Sequence, residues 1–144
     1  MDISTVLGYF GCAFAIGIPA IGSAIGVGNA GAASHGAMAK TDEGHGKFIG
    51  ISAAPSSQTI YGLILMFVLL PKVAAAGAAV LGIGIFCGIA ICMSAVYQGK
   101  VCATAILAST TKQEIFGKCF AAAGMAESFA IFALVAGIVM AGGL

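Results

Sequence analysis

Polar side chains fall in a few clusters along this chain, and the stretches between them are almost wholly apolar. The charged residues are Asp2, Lys40, Asp42, Glu43, Lys47, Lys72, Lys100, Lys112, Glu114, Lys118 and Glu127. They leave runs at 3–39, 48–71 and 73–99 with no charge beyond a possible one on His35, and a run at 119–144 whose sole charge is Glu127. A helix crossing the bilayer core takes roughly 20 apolar residues. The pattern predicts four transmembrane helices, over about 3–39, 47–70, 73–110 and 115–143. The first and third exceed what a bilayer requires, so their ends are expected to project beyond it or the helices to tilt.

Composition fixes the class. Hydrophobic residues make up 60% of the chain and charged residues 8%, against about a quarter charged in a soluble domain. The fold class read from this is an all-α membrane protein. The first run is read as a membrane helix and not a cleaved signal peptide, because it lacks a basic start and its apolar run is too long. The net charge is +1, with no arginine, no tryptophan and no basic patch, which argues against a nucleic-acid partner. Lysines set the expected orientation. The turns near 40–47 and 110–118 each carry two (Lys40 and Lys47; Lys112 and Lys118), whereas the turn near 71–72 carries only Lys72. Positive-inside bias then puts the first and third turns in the cytoplasm and both termini on the non-cytoplasmic side of a cell membrane. The odd set Cys12, Cys87, Cys92, Cys102 and Cys119 has no metal-binding spacing. These cysteines are read as small apolar packing residues.

The layout is duplicated. With Gly44 and Gln113 taken as the tips of the two cytoplasmic turns, 69 residues apart, Asn29 lies 15 residues before its tip and Gln58 lies 14 after. Gln98 lies 15 before its tip and Glu127 lies 14 after. Two antiparallel hairpins, 1–70 and 71–144, would bring all four polar side chains to one depth, about 22 Å from the tips at 1.5 Å per residue. Matching letters are few under this shift, so the layout carries the repeat. Helices one and three are also dense in small residues, including Gly22-x-x-x-Gly26 and Gly84-x-x-x-Gly88. Such spacing permits close packing in membranes. It is read as a tight inner ring of helices one and three, with the bulkier helices two and four (Leu63, Ile64, Leu65, Met66, Phe67) outside against lipid. The string Gly26-Val27-Gly28-Asn29-Ala30-Gly31 matches a dinucleotide-binding pattern, but no strand precedes it, so nucleotide binding is set aside.

Glu127 carries the candidate chemistry. A charge at bilayer centre costs at least ~2.5–3.5 kcal/mol and usually marks an ion pathway. Pro55 removes a backbone bond to the Ile51 carbonyl and should bend its helix, exposing carbonyl oxygens. Ser57, Gln58 and Tyr61 offer oxygens nearby, and Gln98 another at matching depth. Oxygens of this kind suit a hard cation such as sodium. Interhelical hydrogen bonding is the plainer role for the same groups. Lys100 either pairs with Glu127 or reaches toward the cytoplasmic edge, and the second is favoured.

The strings Pro55-x-Ser57-Gln58-x-x-Tyr61-Gly62, Gln98-Gly99-Lys100 and Ala126-Glu127-Ser128 resemble the membrane-ring proteolipid of V-type rotary ATPases, subunit K of the bacterial enzymes. The resemblance covers the whole chain. It implies an ion held by the Ala54 carbonyl, Ser57, Gln58, Gln98 and Glu127, with Tyr61 bonding the glutamate. Ala54 replaces a bulkier residue, which is harmless if only its carbonyl binds. Ser57 stands where threonine is common and keeps the hydroxyl. Because proton-type members often lack the glutamine set, the resemblance implies Na+ ahead of H+. It further implies identical subunits in a ring surrounded by lipid. A stator membrane subunit would supply the arginine this chain lacks, and a central-stalk subunit would bind the cytoplasmic turns. No cofactor and no catalysis on this chain are expected, with ATP chemistry on partner subunits. Two alternatives remain: a small proton-coupled multidrug exporter, which usually has its glutamate in the first helix with tryptophan nearby, and a purely structural proteolipid.

Overall fold

A computed structural model describes residues 2–144, and the described residues form helices joined by short turns, with no strand among them. Helix α1 (Ile3–Met38) starts at Asp2, whose carboxylate caps it by accepting the Thr5 N–H at 2.9 Å. Hydrogen bonding by Thr5 holds this exposed carboxyl below its ordinary range. There follow α2 (His45–Ser52), α3 (Ser57–Leu69), α4 (Val73–Thr111) and α5 (Phe116–Gly142). The turn after α1 closes on Gly44, whose φ of 83° lies in the left-handed region that glycine enters without steric cost.

Three helical stretches are long and apolar enough to cross a membrane: Ile3–Met38, His45–Thr111 and Gln113–Gly142. The sequence pattern predicts four. The difference lies in the middle stretch, whose 67 residues would span about 100 Å if straight, far beyond a bilayer. It is not straight. Short 3₁₀ turns at Ala54–Ser56 and Leu70–Lys72, each with a proline near its start, interrupt it. Ala76 (φ −142°, ψ 41°) departs from helical geometry just beyond the second turn. Its two arms run along α1 in opposite senses. On α3, Gly62 abuts Ala15 and Pro19, whereas Pro55 abuts Gly26, so that arm is antiparallel to α1. On α4, Val73 lies by Gly8, Leu81 by Gly11, Cys92 by Gly22 and Ala95 by Gly26, so that arm is parallel. The chain therefore doubles back at Leu70–Lys72 with no loop.

Close packing of α1 on α4 follows from glycine on both sides. A Cβ on Gly11 would fall 2.5 Å from the Val80 carbonyl, and Gly84 and Gly99 approach the Gly11 and Gly26 backbones. The large apolar residues Ile64, Phe67, Phe120, Phe129, Phe132 and Val139 of α3 and α5 point outward, as a lipid-facing surface should. Leu65, assigned by the sequence pattern to that outer face, is instead fully buried. Cys12 and Cys102 are buried apolar packing residues, and all five cysteines are free.

The interior has two apolar clusters. One gathers Leu65, Leu69, Val80, Ile83, Ile91 and Leu134 toward the Leu70–Lys72 reversal. The other gathers Phe48, Ile51, Cys102, Ile106 and Ala123 toward the Gly44 end. Gln58, Ser94 and Gln98 are buried between them. At the Gly44 end, the Gln113 amide donates to Glu43 Oε2 at 3.2 Å and joins the two tips.

Candidate functional site

The α2–α3 break places the first polar group. Pro55 has no N–H and its ring collides with a helical carbonyl four residues back, so α2 stops at Ser52 and α3 restarts at Ser57. Side-chain hydroxyls bond the carbonyls before the break, Ser52 to Ile49 at 2.7 Å and Ser56 to Ala53 at 2.7 Å, and Ser57 Oγ lies 3.0 Å from the Ala54 carbonyl. The restart turns Ser57 and Gln58 toward α4 and α5.

Glu127 accepts three hydrogen bonds from two other helices. Its Oε1 takes the Ser57 hydroxyl at 2.6 Å and the Tyr61 phenol at 2.7 Å, both from α3. Its Oε2 takes the Gln98 amide of α4 at 3.2 Å. Hydrogen bonds to an ionised acceptor are roughly twice as strong as neutral ones, so this shell fits an anion in a place where water is scarce. Ser57 has one hydroxyl hydrogen and three acceptors in reach. Its shortest contact is to Glu127, which leaves lone pairs free on the Ala54 carbonyl and on Gln58 Oε1, the latter 3.2 Å from Ser57 Oγ.

Behind the carboxylate lie Gln58 and Gln98, 0% and 1% exposed. The Gln58 amide nitrogen donates to Gln98 Oε1 at 2.9 Å and to Ser94 Oγ at 3.4 Å. The Gln98 nitrogen donates to the Ala123 carbonyl at 3.1 Å as well as to Glu127. Ser94 donates to the Ala126 carbonyl at 2.7 Å. Two amide hydrogens on each glutamine thus have two acceptors each, as burial demands.

Of the residues expected at the site, Ser57, Gln58, Tyr61, Gln98 and Glu127 meet in this network, and the Ala54 carbonyl joins it through Ser57. Three features differ from expectation. Asn29, placed by the duplicated layout at the depth of Glu127, is exposed and lies outside the network. Ser94, which the sequence reading passed over, is in it, and its one signal is a position one turn before Gln98 on the same helical face. Gln98 turns its nitrogen, not its oxygen, toward Glu127. Lys100 does not pair with Glu127. Its ammonium lies 4.9 Å from the Tyr97 ring centroid, a cation–π distance, and the ion pair found among the described residues is Lys112–Glu114.

The site thus holds a single ionisable acid among neutral oxygens and amides, between two apolar clusters. Such an arrangement suits reversible neutralisation of one charge by a proton or a monovalent cation.

Comparison with known proteins finds related chains. The profile of the ATP synthase C-subunit family matches twice, over residues 10–69 and 81–140. An A-type ATP synthase subunit K from Methanocaldococcus jannaschii is 31% identical over 136 residues, 94% of this chain. The chain spans 61% of the length of that relative.

Proposed function

The chain belongs to the ATP synthase C-subunit family and is a multi-pass membrane protein, and we propose that it is the ion-carrying rotor subunit of a rotary ATPase membrane sector. In this reading it crosses the membrane four times as two hairpins, 1–70 and 71–144, with both termini on the non-cytoplasmic side. Identical copies form a ring in lipid and turn against a stator subunit. That partner supplies the arginine absent here, while a central-stalk subunit grips the Gly44 and Lys112 turns. ATP is made or split on other subunits, and this chain is non-catalytic.

The observation that carries the reading is the environment of Glu127: three donors to one carboxylate, with further oxygens beside it. An empty, anionic Glu127 is held by Ser57, Tyr61 and Gln98. A loaded one is neutral and passes lipid at low cost. Sodium is the favoured cargo, with a proton second, because Gln58 Oε1, Ser57 Oγ and the Ala54 carbonyl add neutral oxygens to the carboxylate, the donor type a hard cation takes. Gln98 supports the set from behind: its oxygen holds the Gln58 nitrogen and its nitrogen holds Glu127 Oε2.

The test is covalent labelling with a hydrophobic carbodiimide, which reacts with a protonated carboxyl. Labelling of Glu127 should slow as sodium rises. Labelling indifferent to sodium at every pH removes sodium and leaves the proton as cargo. Absence of labelling at Glu127 under all conditions removes the carrier role.

A further inference from the structure

We propose that Ser94 is a positioning residue for the cation site, acting through Gln58 to set which end of that amide faces Glu127. The inference rests on the reading of Gln58 as an oxygen ligand for the transported cation.

The polarity of the network starts at a backbone carbonyl. Ser94 has one hydroxyl hydrogen and gives it to the Ala126 carbonyl at 2.7 Å. A carbonyl has no hydrogen to return, so this bond runs one way. The Ser94 oxygen is left as an acceptor. It therefore calls for the nitrogen of Gln58, found at 3.4 Å. The other hydrogen of that nitrogen goes to Gln98 Oε1 at 2.9 Å. With the nitrogen held at two points, Gln58 Oε1 stays on the side of Ser57 and Glu127. Reversing the amide would set its oxygen against two acceptors, Ser94 Oγ and Gln98 Oε1, and lose both hydrogen bonds that now hold the nitrogen.

Ser94 has no direct bond to the carboxylate, and Gln98 does not need Ser94 for its own orientation. The Ala123 carbonyl fixes the Gln98 nitrogen independently. Loss of the Ser94 hydroxyl therefore releases Gln58 selectively. It should weaken the oxygen donated to a cation while leaving the three donors to an empty Glu127 in place.

The measurement is the sodium concentration that half-protects Glu127 from carbodiimide, in membranes holding the intact complex, with sodium chloride as the probe. Ser94→Ala should raise this midpoint roughly threefold to tenfold, the worth of one neutral hydrogen bond. The sodium-free labelling rate and its pH profile should stay at wild-type values. Ser94→Thr keeps the hydroxyl and should restore the midpoint. In a Gln58→Ala background, adding Ser94→Ala should change nothing further. An unmoved midpoint in Ser94→Ala overturns the proposal. So does a full, independent effect in the Gln58→Ala background, or an equal shift in the sodium-free rate, which would mark plain packing. If Ser94→Ala does not assemble, Ser94→Cys takes its place: a thiol is a poorer acceptor, and a wild-type midpoint there overturns the role. A wild-type protein unprotected by sodium overturns the sodium reading and this proposal together, whereas a protected wild type with unmoved variants overturns the role of Ser94 alone.

Discussion

The Tyr61 phenol donates to Glu127 Oε1 at 2.7 Å, from a position 66 residues away on α3. It shares that oxygen with the Ser57 hydroxyl at 2.6 Å, one turn earlier on the same helix. Two donors from one helix onto one oxygen leave Oε2 to Gln98 alone. The carboxylate is therefore held asymmetrically, tightly on the α3 side and by one longer bond on the α4 side.

Tyr61→Phe removes one of the two donors on Oε1 and keeps the ring. A bond to an ionised acceptor is worth about 1.5–3 kcal/mol, and its loss disfavours the anion relative to either loaded form. Carbodiimide labelling at a fixed alkaline pH without sodium should become faster by roughly tenfold. A labelling rate equal to that of the wild type would remove Tyr61 from the site.

Gln58→Ala and Gln98→Ala each delete an amide next to Glu127 and keep the carboxyl. Sodium affinity should fall roughly tenfold or more, the scale of a charge-linked hydrogen bond, with assembly intact. Half-protection by sodium against carbodiimide reads this directly. Unchanged sodium dependence in both variants would sink the ligand assignment.

Competition between proton and sodium gives a pH dependence whose sign follows from the chemistry. The reagent takes the protonated acid. Raising pH lowers the protonated share and lets sodium compete better. Protection by a fixed sodium concentration should therefore strengthen as pH rises. Protection that weakens with rising pH would contradict a shared site.

The two hairpins are unequal in charge. Gln58 occupies the layout position of Glu127, and an amide neither loses a proton nor neutralises a cation. Counting carbodiimide adducts, or tightly bound ions, should give one per chain. Two per chain would require a second site, and Glu43, exposed at the tip, does not provide one.

Glycines divide into two sets that should behave differently. At Gly11 a Cβ meets the Val80 carbonyl at 2.5 Å, whereas at Gly17, Gly28 and Gly82 nothing lies within 4 Å. Gly11→Val should destroy the α1–α4 packing, read as loss of folded protein in mild detergent. Gly28→Val should leave the single chain folded. A fall in particle size in Gly28→Val would mark that open face as a contact between copies.

Spans were readable from charge spacing because a bilayer imposes length on apolar runs. The runs expected at 3–39, 73–110 and 115–143 match Ile3–Met38, Val73–Thr111 and Phe116–Gly142 to within a residue or so. Sequence layout also brought Gln58, Gln98 and Glu127 to one depth, since depth depends on residue count alone. It did not carry direction around the helix axis, and there Asn29 went astray. The buried stripe of α1 runs through Gly22, Gly26, Ala30 and Ser34, four residues apart, and Asn29 sits about 100° off it. The orientation of the amides was not legible either. It depends on one hydroxyl hydrogen at Ser94 and one carbonyl at Ala123, neither of which the sequence marks out from the chain's other hydroxyls and carbonyls.

The polar groups bonded around Glu127 come from both halves of a single polypeptide, Ser57, Gln58 and Tyr61 from one and Gln98 from the other. Translation itself thus delivers every acid with its own complement of neutral partners in fixed one-to-one proportion. Were the halves separate gene products, unequal expression would leave some carboxylates without amides and some amides without a carboxylate. Joining them through the three-residue reversal at Leu70–Lys72 makes such a defective unit impossible to synthesise.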